Sequence, residues 1–165
     1  MFYHNTRGGF FSSPDDALRK NVDNPDADLF SILDQLEDYR TGGLFHFKLC
    51  YPEKVSFGDG CNEWKQTSNP ALEPTITGFQ PIALSFRRNG HQENWVGLGK
   101  DVSGSILTLI DDTPFRTNWF TAIGASSHWR SGSPPQIPGP IPLPVSIVEL
   151  SVKVKSEGNC FSVAS

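Results

Sequence analysis

The chain has little that would mark an enzyme. Its 165 residues contain no Gly-rich phosphate loop, no His-Glu-x-x-His and no Gly-x-Ser-x-Gly. The four histidines, His4, His46, His91 and His128, stand apart without metal-ligand spacing. Basic residues are also scarce: 14 Lys and Arg against 18 Asp and Glu give a net charge of −4. That balance does not favour nucleic acid, which usually calls for a basic patch. No run of 18 apolar residues exists, so no helix of the sequence spans a membrane. Charged residues make up only 19%, too few for a coiled coil. The segment Met1 to Arg7 lacks the basic and then apolar pattern of a secretory leader. The chain therefore reads either as cytosolic or as a piece of a longer secreted protein. No Asn-x-Ser/Thr acceptor is present to mark the compartment.

What the sequence does have is aromatic residues, proline and glycine. Four Trp and twelve Phe are too much apolar surface for a disordered chain. A chain of this length makes one domain and buries roughly two thirds of its unfolded surface. The 13 Pro and 15 Gly exclude long helices.

Two helical starts are expected early. Ser13-Pro14-Asp15-Asp16 combines a capping Ser, Pro at the first helical position and acids against the helix dipole. A second start follows at Asn24-Pro25-Asp26. After it Leu29, Ile32, Leu33 and Leu36 recur at helical spacing, and Gly42-Gly43 supplies a stop. That apolar stripe packs on the body of the domain or serves a partner helix.

After Gly43 the period becomes two. Phe45, Phe47, Leu49 and Tyr51 share one face of a strand, and His46, Lys48 and Cys50 the other. Further strands are expected at 62–67, within 75–86, at 94–98, 105–110 and 117–123. The last is the clearest: Val148, Leu150, Val152 and Val154 alternate with Glu149, Ser151, Lys153 and Lys155. Six prolines in Ser133–Pro144 predict an extended connector, or a ligand for a proline-recognition domain. The expected fold is mainly β: an antiparallel β-sandwich, jelly-roll-like, with a short N-terminal helical segment. The expected organisation is an extension at 1–12, a single domain at 13–155 with a helical cap at 13–40, and a tail at 156–165.

Cys50 and Cys61 enclose a turn-rich stretch and could face each other across a hairpin as a disulfide, or be two ordinary thiols. Cys160 is left over, for an interchain bridge or as a free thiol. Asp111-Asp112 ends a strand. Paired acids there could bind Ca²⁺, with Asp59 and Asp101 as further ligands, or form a turn with Thr113-Pro114.

Each tryptophan has a polar neighbour: Asn62-Glu63-Trp64, Asn94-Trp95, Asn118-Trp119 and His128-Trp129. Trp faces stack on sugar rings and Asn amides both donate and accept, so the pairs suit a carbohydrate or peptide site. The competing reading is core tryptophan with its neighbour on the opposite face. Gln66 and Asn69, just after Trp64, form a binding rim or a structured turn.

Taken as a series, Leu44 to Pro52, Cys61 to Pro70, Asn94 to Leu98, Asn118 to Gly124 and Val148 to Leu150 resemble a module of invertebrate secreted and cell-surface proteins. That module is often terminal in multidomain or collagen-like chains. The resemblance covers roughly residues 10–155. It implies an extracellular setting and an adhesion, matrix or recognition role. The expected function is non-enzymatic recognition of a glycan or an extracellular protein. The expected ligand residues are Trp64, Gln66, Asn69, Asn94, Trp95, Asn118, Trp119 and Trp129. A structural or oligomerising end-domain is the alternative, forming a homo-oligomer, and a jelly-roll hydrolase is a third.

Overall fold

Strands form and pair in the segments expected at 44–51, 62–67, 75–86 and 148–155, but the strand expected at 94–98 is absent, those expected at 105–110 and 117–123 are described only at Ile110 and at Ala122–Ile123, and the first 40 residues do not form the expected helices. The computed structural model describes residues 1–54, 59–87, 94–102, 108–111, 122–126, 136–140 and 144–154. The chain is mainly β with antiparallel sheets. No helix among the described residues is long and apolar enough to cross a membrane.

Twelve strands are described: β1 (Phe2–Asn5), β2 (Arg19–Lys20), β3 (Leu29–Ile32), β4 (Phe45–Cys50), β5 (Cys61–Gln66), β6 (Gln80–Leu84), β7 (Gly99–Lys100), β8 (Ile110–Asp111), β9 (Ala122–Ile123), β10 (Ile137–Pro138), β11 (Pro144–Val145) and β12 (Ile147–Val152). Seven form one sheet in the order β2-β3-β1-β12-β4-β5-β6. A three-stranded sheet β7-β8-β9 and a pair β10-β11 complete the set. The Pro-rich connector thus contains a short antiparallel pairing, Ile137 opposite Val145.

Alternation gives the large sheet two different faces, because side chains at i and i+2 share a side. Phe2 and His4, Val148, Leu150 and Val152, Phe45, Phe47 and Leu49, and Trp64 are buried on one of them. Leu109, Ile110, Ile123, Ile137 and Val145 belong to the same apolar cluster, so all three sheets share one core. The opposite face carries Tyr3, Glu149, Ser151, His46, Lys48 and Lys65, all half-buried or exposed.

Two expectations are corrected. Residues 13–40 contain no α-helix. The span holds 3-10 turns at Asp16–Leu18 and Leu33–Tyr39, with β2 and β3 among them. Leu29 reads as part of a helical stripe, but it pairs with His4 across the sheet, and Phe30 beside it pairs with Tyr3. Pairing with β1 overrides the local helical spacing. Leu33 and Leu36, three apart, then fall on one side of a 3-10 helix and are buried. With Leu29 also buried, that stripe is closed to a partner helix. The second correction concerns residues 1–12, read as an extension. They supply β1, which lies between β3 and β12 inside the large sheet, and the buried Phe11.

Strand β6 pairs only with β5 among the described strands. It carries Pro81, a residue that suits an edge because it cannot donate to a ladder. Ile82 is about half exposed there.

Cys50 and Cys61 are directly opposite on β4 and β5, and their sulfurs are joined. The loop between them turns on Gly60, whose φ of +73° favours glycine, with Tyr51 N–H donating to Gly60 O at 2.9 Å. A cross-link spanning a separation of 11 residues stabilises by about 3 kcal/mol in the chain-entropy model. The Cys50→Ala/Cys61→Ala variant is therefore expected to unfold at a clearly lower urea midpoint. An unchanged midpoint would mean that the bridge adds nothing to the native state.

Candidate functional site

The polar residues around Trp64 are organised inward. Trp64 is fully buried, tilted against Phe47 at 5.5 Å between ring centroids and edge-on to Trp95 at 5.3 Å. Its Nε1–H donates to Gln66 Oε1 at 2.8 Å. The same oxygen accepts Leu98 N–H at 3.1 Å. Gln66 Nε2 donates to Ser68 O and Leu98 O, each at 2.9 Å. Gln66 thus ties the end of β5 to the segment 94–98 and satisfies a buried indole in the process. Gly97 makes the close approach possible: its φ is +101°, and a Cβ there would lie 2.6 Å from Gln66 Oε1.

Asn69 is likewise buried. Its Oδ1 accepts Ala71 N–H at 3.0 Å, and its Nδ2 donates to Glu37 at 2.8 Å. Glu37 also receives both Arg40 Nε and Nη2 at 2.9 Å. The Arg40 guanidinium, and then the Asn69 amide, hold the Glu37 carboxyl below its usual range. Arg40 lies 4.1 Å over the Phe45 ring.

The expected binding rim is corrected by this burial. Trp64, Gln66 and Asn69 offer no face or free amide to a ligand, and Trp95 is only 5% exposed. Its Nε1–H has no hydrogen-bond partner among the described residues. Asn94 alone of this set is exposed. Asn118, Trp119 and Trp129 lie outside the described residues. Asp111 sits in β8 between Gly99 and Ala122, fully buried rather than at a rim, and Asp112 lies outside the described residues. Asp101 accepts the Thr108 hydroxyl. Asp59 is held below the usual carboxyl range by the Ser85 hydroxyl at 2.7 Å and then by Cys61 N–H. No group of three or more His, Cys, Asp or Glu converges among the described residues.

The open face of the large sheet carries a groove of about 450 Å³. Cross-strand register builds its floor. Phe30 on β3 pairs with Tyr3 on β1, Tyr3 with Glu149 on β12, and Glu149 with Cys50 on β4. Directly opposed side chains lie about 5 Å apart, so these four form a row across the sheet. Ser151 stands two residues beyond Glu149, and Pro25 with Asp26 forms the other wall. Tyr3 OH accepts a long bond of 3.5 Å from Asn5 Nδ2. One further polar pair stands on this face: His46 Nε2 lies 2.5 Å from Glu63 Oε1.

No family model, curated protein or solved structure matches the chain. The groove's own chemistry is therefore the guide to its use. Sequence reasoning missed its aromatic members. Glu149 and Ser151 are legible as the polar side of β12. Tyr3 and Phe30 become neighbours only through pairing, although 27 positions separate them in the chain.

Proposed function

We propose that this chain is a non-enzymatic recognition domain of an extracellular protein, which binds a glycan or an extracellular protein in the groove on its open sheet face. The observation that carries the reading is the groove row Phe30-Tyr3-Glu149, an aromatic and acidic strip in which Phe30 is buried, Tyr3 half-buried and Glu149 exposed. Such a strip combines apolar contact area with fixed hydrogen-bond acceptors, the combination that ligand sites use for affinity and orientation. The Cys50–Cys61 bridge supports the extracellular setting, because disulfides persist in oxidising compartments. A two-layer sandwich of the jelly-roll kind belongs to the same reading. It is supported by the sharing of one core between the large sheet and the two small ones. Calcium at Asp111 and Asp112 belongs to it as well.

A mixed glycan and matrix-protein array, run with the native chain and with Tyr3→Ala, tests the proposal. The expected result is a specific hit that Tyr3→Ala loses while its thermal melt stays cooperative. A hit that Tyr3→Ala keeps would move recognition off the groove, and a blank array from folded protein would overturn the reading. Repeating the array with chelator tests the calcium expectation: loss of the hit supports it, and an unchanged hit rejects it.

A further inference from the structure

The groove lining contains only acidic charged side chains. Asp26 and Glu149 are there, and no Lys, Arg or His side chain lines it. Lys48, in the next row of the same face, leans instead toward Asp59, with Nζ 3.8 Å from the carboxylate. At one end of the groove, burial lowers the pKa of the Met1 amino group from its ordinary value. The hydrogen-bonding chemistry leans to acceptors, with the Tyr3 hydroxyl able to donate as well as accept. Ionised carboxylates only accept. The Ser151 hydroxyl is directed to Lys48 O at 3.4 Å. Sugar hydroxyls need donors as well as acceptors in their site. A guanidinium presents five donors and no acceptor. Its flat face also stacks on aromatic rings, as an ammonium does less well. Tyr3, between Phe30 and Glu149 in the row, supplies such a ring beside a carboxylate.

We infer that the groove accepts an arginine side chain of a protein partner, the guanidinium stacked on Tyr3 and paired with Glu149 and Asp26. The inference rests on the recognition reading above and names the chemistry of its ligand.

The test is an NMR titration of the ¹⁵N-labelled chain with N-acetyl-arginine amide. Parallel titrations use N-acetyl-citrulline amide, the neutral isostere, and N-acetylglucosamine. The expected result is saturable shifts at Tyr3, Phe30 and Ser151 with the arginine probe alone, weakened at 0.5 M salt. Glu149→Gln should weaken binding about 1.5- to fivefold, the range for one exposed charge contact, with the stacking on Tyr3 retained. Glu149 is exposed on its strand, so the variant is expected to fold, and its amide spectrum checks this. Equal shifts with citrulline or the sugar at these residues would overturn the cation inference and leave groove recognition standing. Shifts with arginine that avoid the groove, or no shifts with any probe, would overturn it too. In that case the Tyr3→Ala array result decides the broader reading separately.

Discussion

Trp64→Ala is expected to lose about 3–5 kcal/mol of stability, the range for emptying the space of a buried aromatic. Domains of this kind hold only about 5–15 kcal/mol in total, so a large part of the folded margin goes with one side chain. The reason lies in three contacts made at once. The ring fills the space between Phe47 and Trp95, and its N–H occupies Gln66 Oε1. Truncation leaves a void and weakens the link that holds the segment 94–98 against β5. Gln66→Leu probes the polar half alone. It strands the indole N–H together with Leu98 N–H and O, and unsatisfied buried groups cost about 1–3 kcal/mol each. Urea unfolding of both variants checks the expectation. A Trp64→Ala midpoint within about 0.5 kcal/mol of the native chain, the range typical of surface changes, would return Trp64 to the surface and to the ligand role.

Acidification between pH 6.5 and 4 is expected to remove about 3 kcal/mol of stability through His4 alone. The imidazole is fully buried on β1, edge-on to Phe10 and Phe11 at 5.3 and 5.1 Å. Its Nε2 lies 3.1 Å from Gly9 O, and Nδ1 has no hydrogen-bond partner among the described residues. Burial pushes its pKa from 6.5 to about 4, against a smaller opposing effect of the Gly9 carbonyl. Above pH 6.5 both folded and unfolded chains carry the neutral ring, and this stability is fully present. As the pH falls, the unfolded chain takes up the proton first and is favoured. The loss is complete once the pH passes below the folded value near 4. The magnitude follows from about 1.4 kcal/mol for each unit between the two values. Asp59 and Glu37 act lower. Their folded values lie below the usual carboxyl range, so their contribution is lost only as the pH falls through that range. Stability measured by urea at pH 7, 5.5 and 4 should therefore fall in the native chain and much less in His4→Gln. Parallel pH profiles in the two would show that His4 is not the group responsible.

Much of the sheet was legible in the sequence. The alternation in 44–51 survives as β4, and that in 148–155 survives over Val148–Val152 in β12, because one buried face imposes a period of two whatever the neighbours are. The cysteine pair was legible for the same reason: a short turn between two strands puts their ends opposite each other. The helical cap was not legible. Leu29, Ile32, Leu33 and Leu36 fit a helical stripe as well as they fit a strand followed by a 3-10 turn, and local spacing does not separate the two.

The tryptophan motif shows where local patterns stop. Trp64 beside Asn62 and Gln66 has the composition of a ligand rim. Sequence determined that these polar groups lie near an indole; it did not determine which way they face. Only the arrival of Leu98, 32 residues further on, turned Gln66 into a buried bridge. The same holds for the groove. By itself the sequence determined a mainly β chain, the polar side of β12 and the cysteine hairpin, since each follows from residues close together in the chain. The tertiary structure decided that β1 runs between β3 and β12, and so set Tyr3 between Phe30 and Glu149. Cross-strand neighbours come from the register of segments far apart in the chain, and that register is set by which faces the whole core can bury.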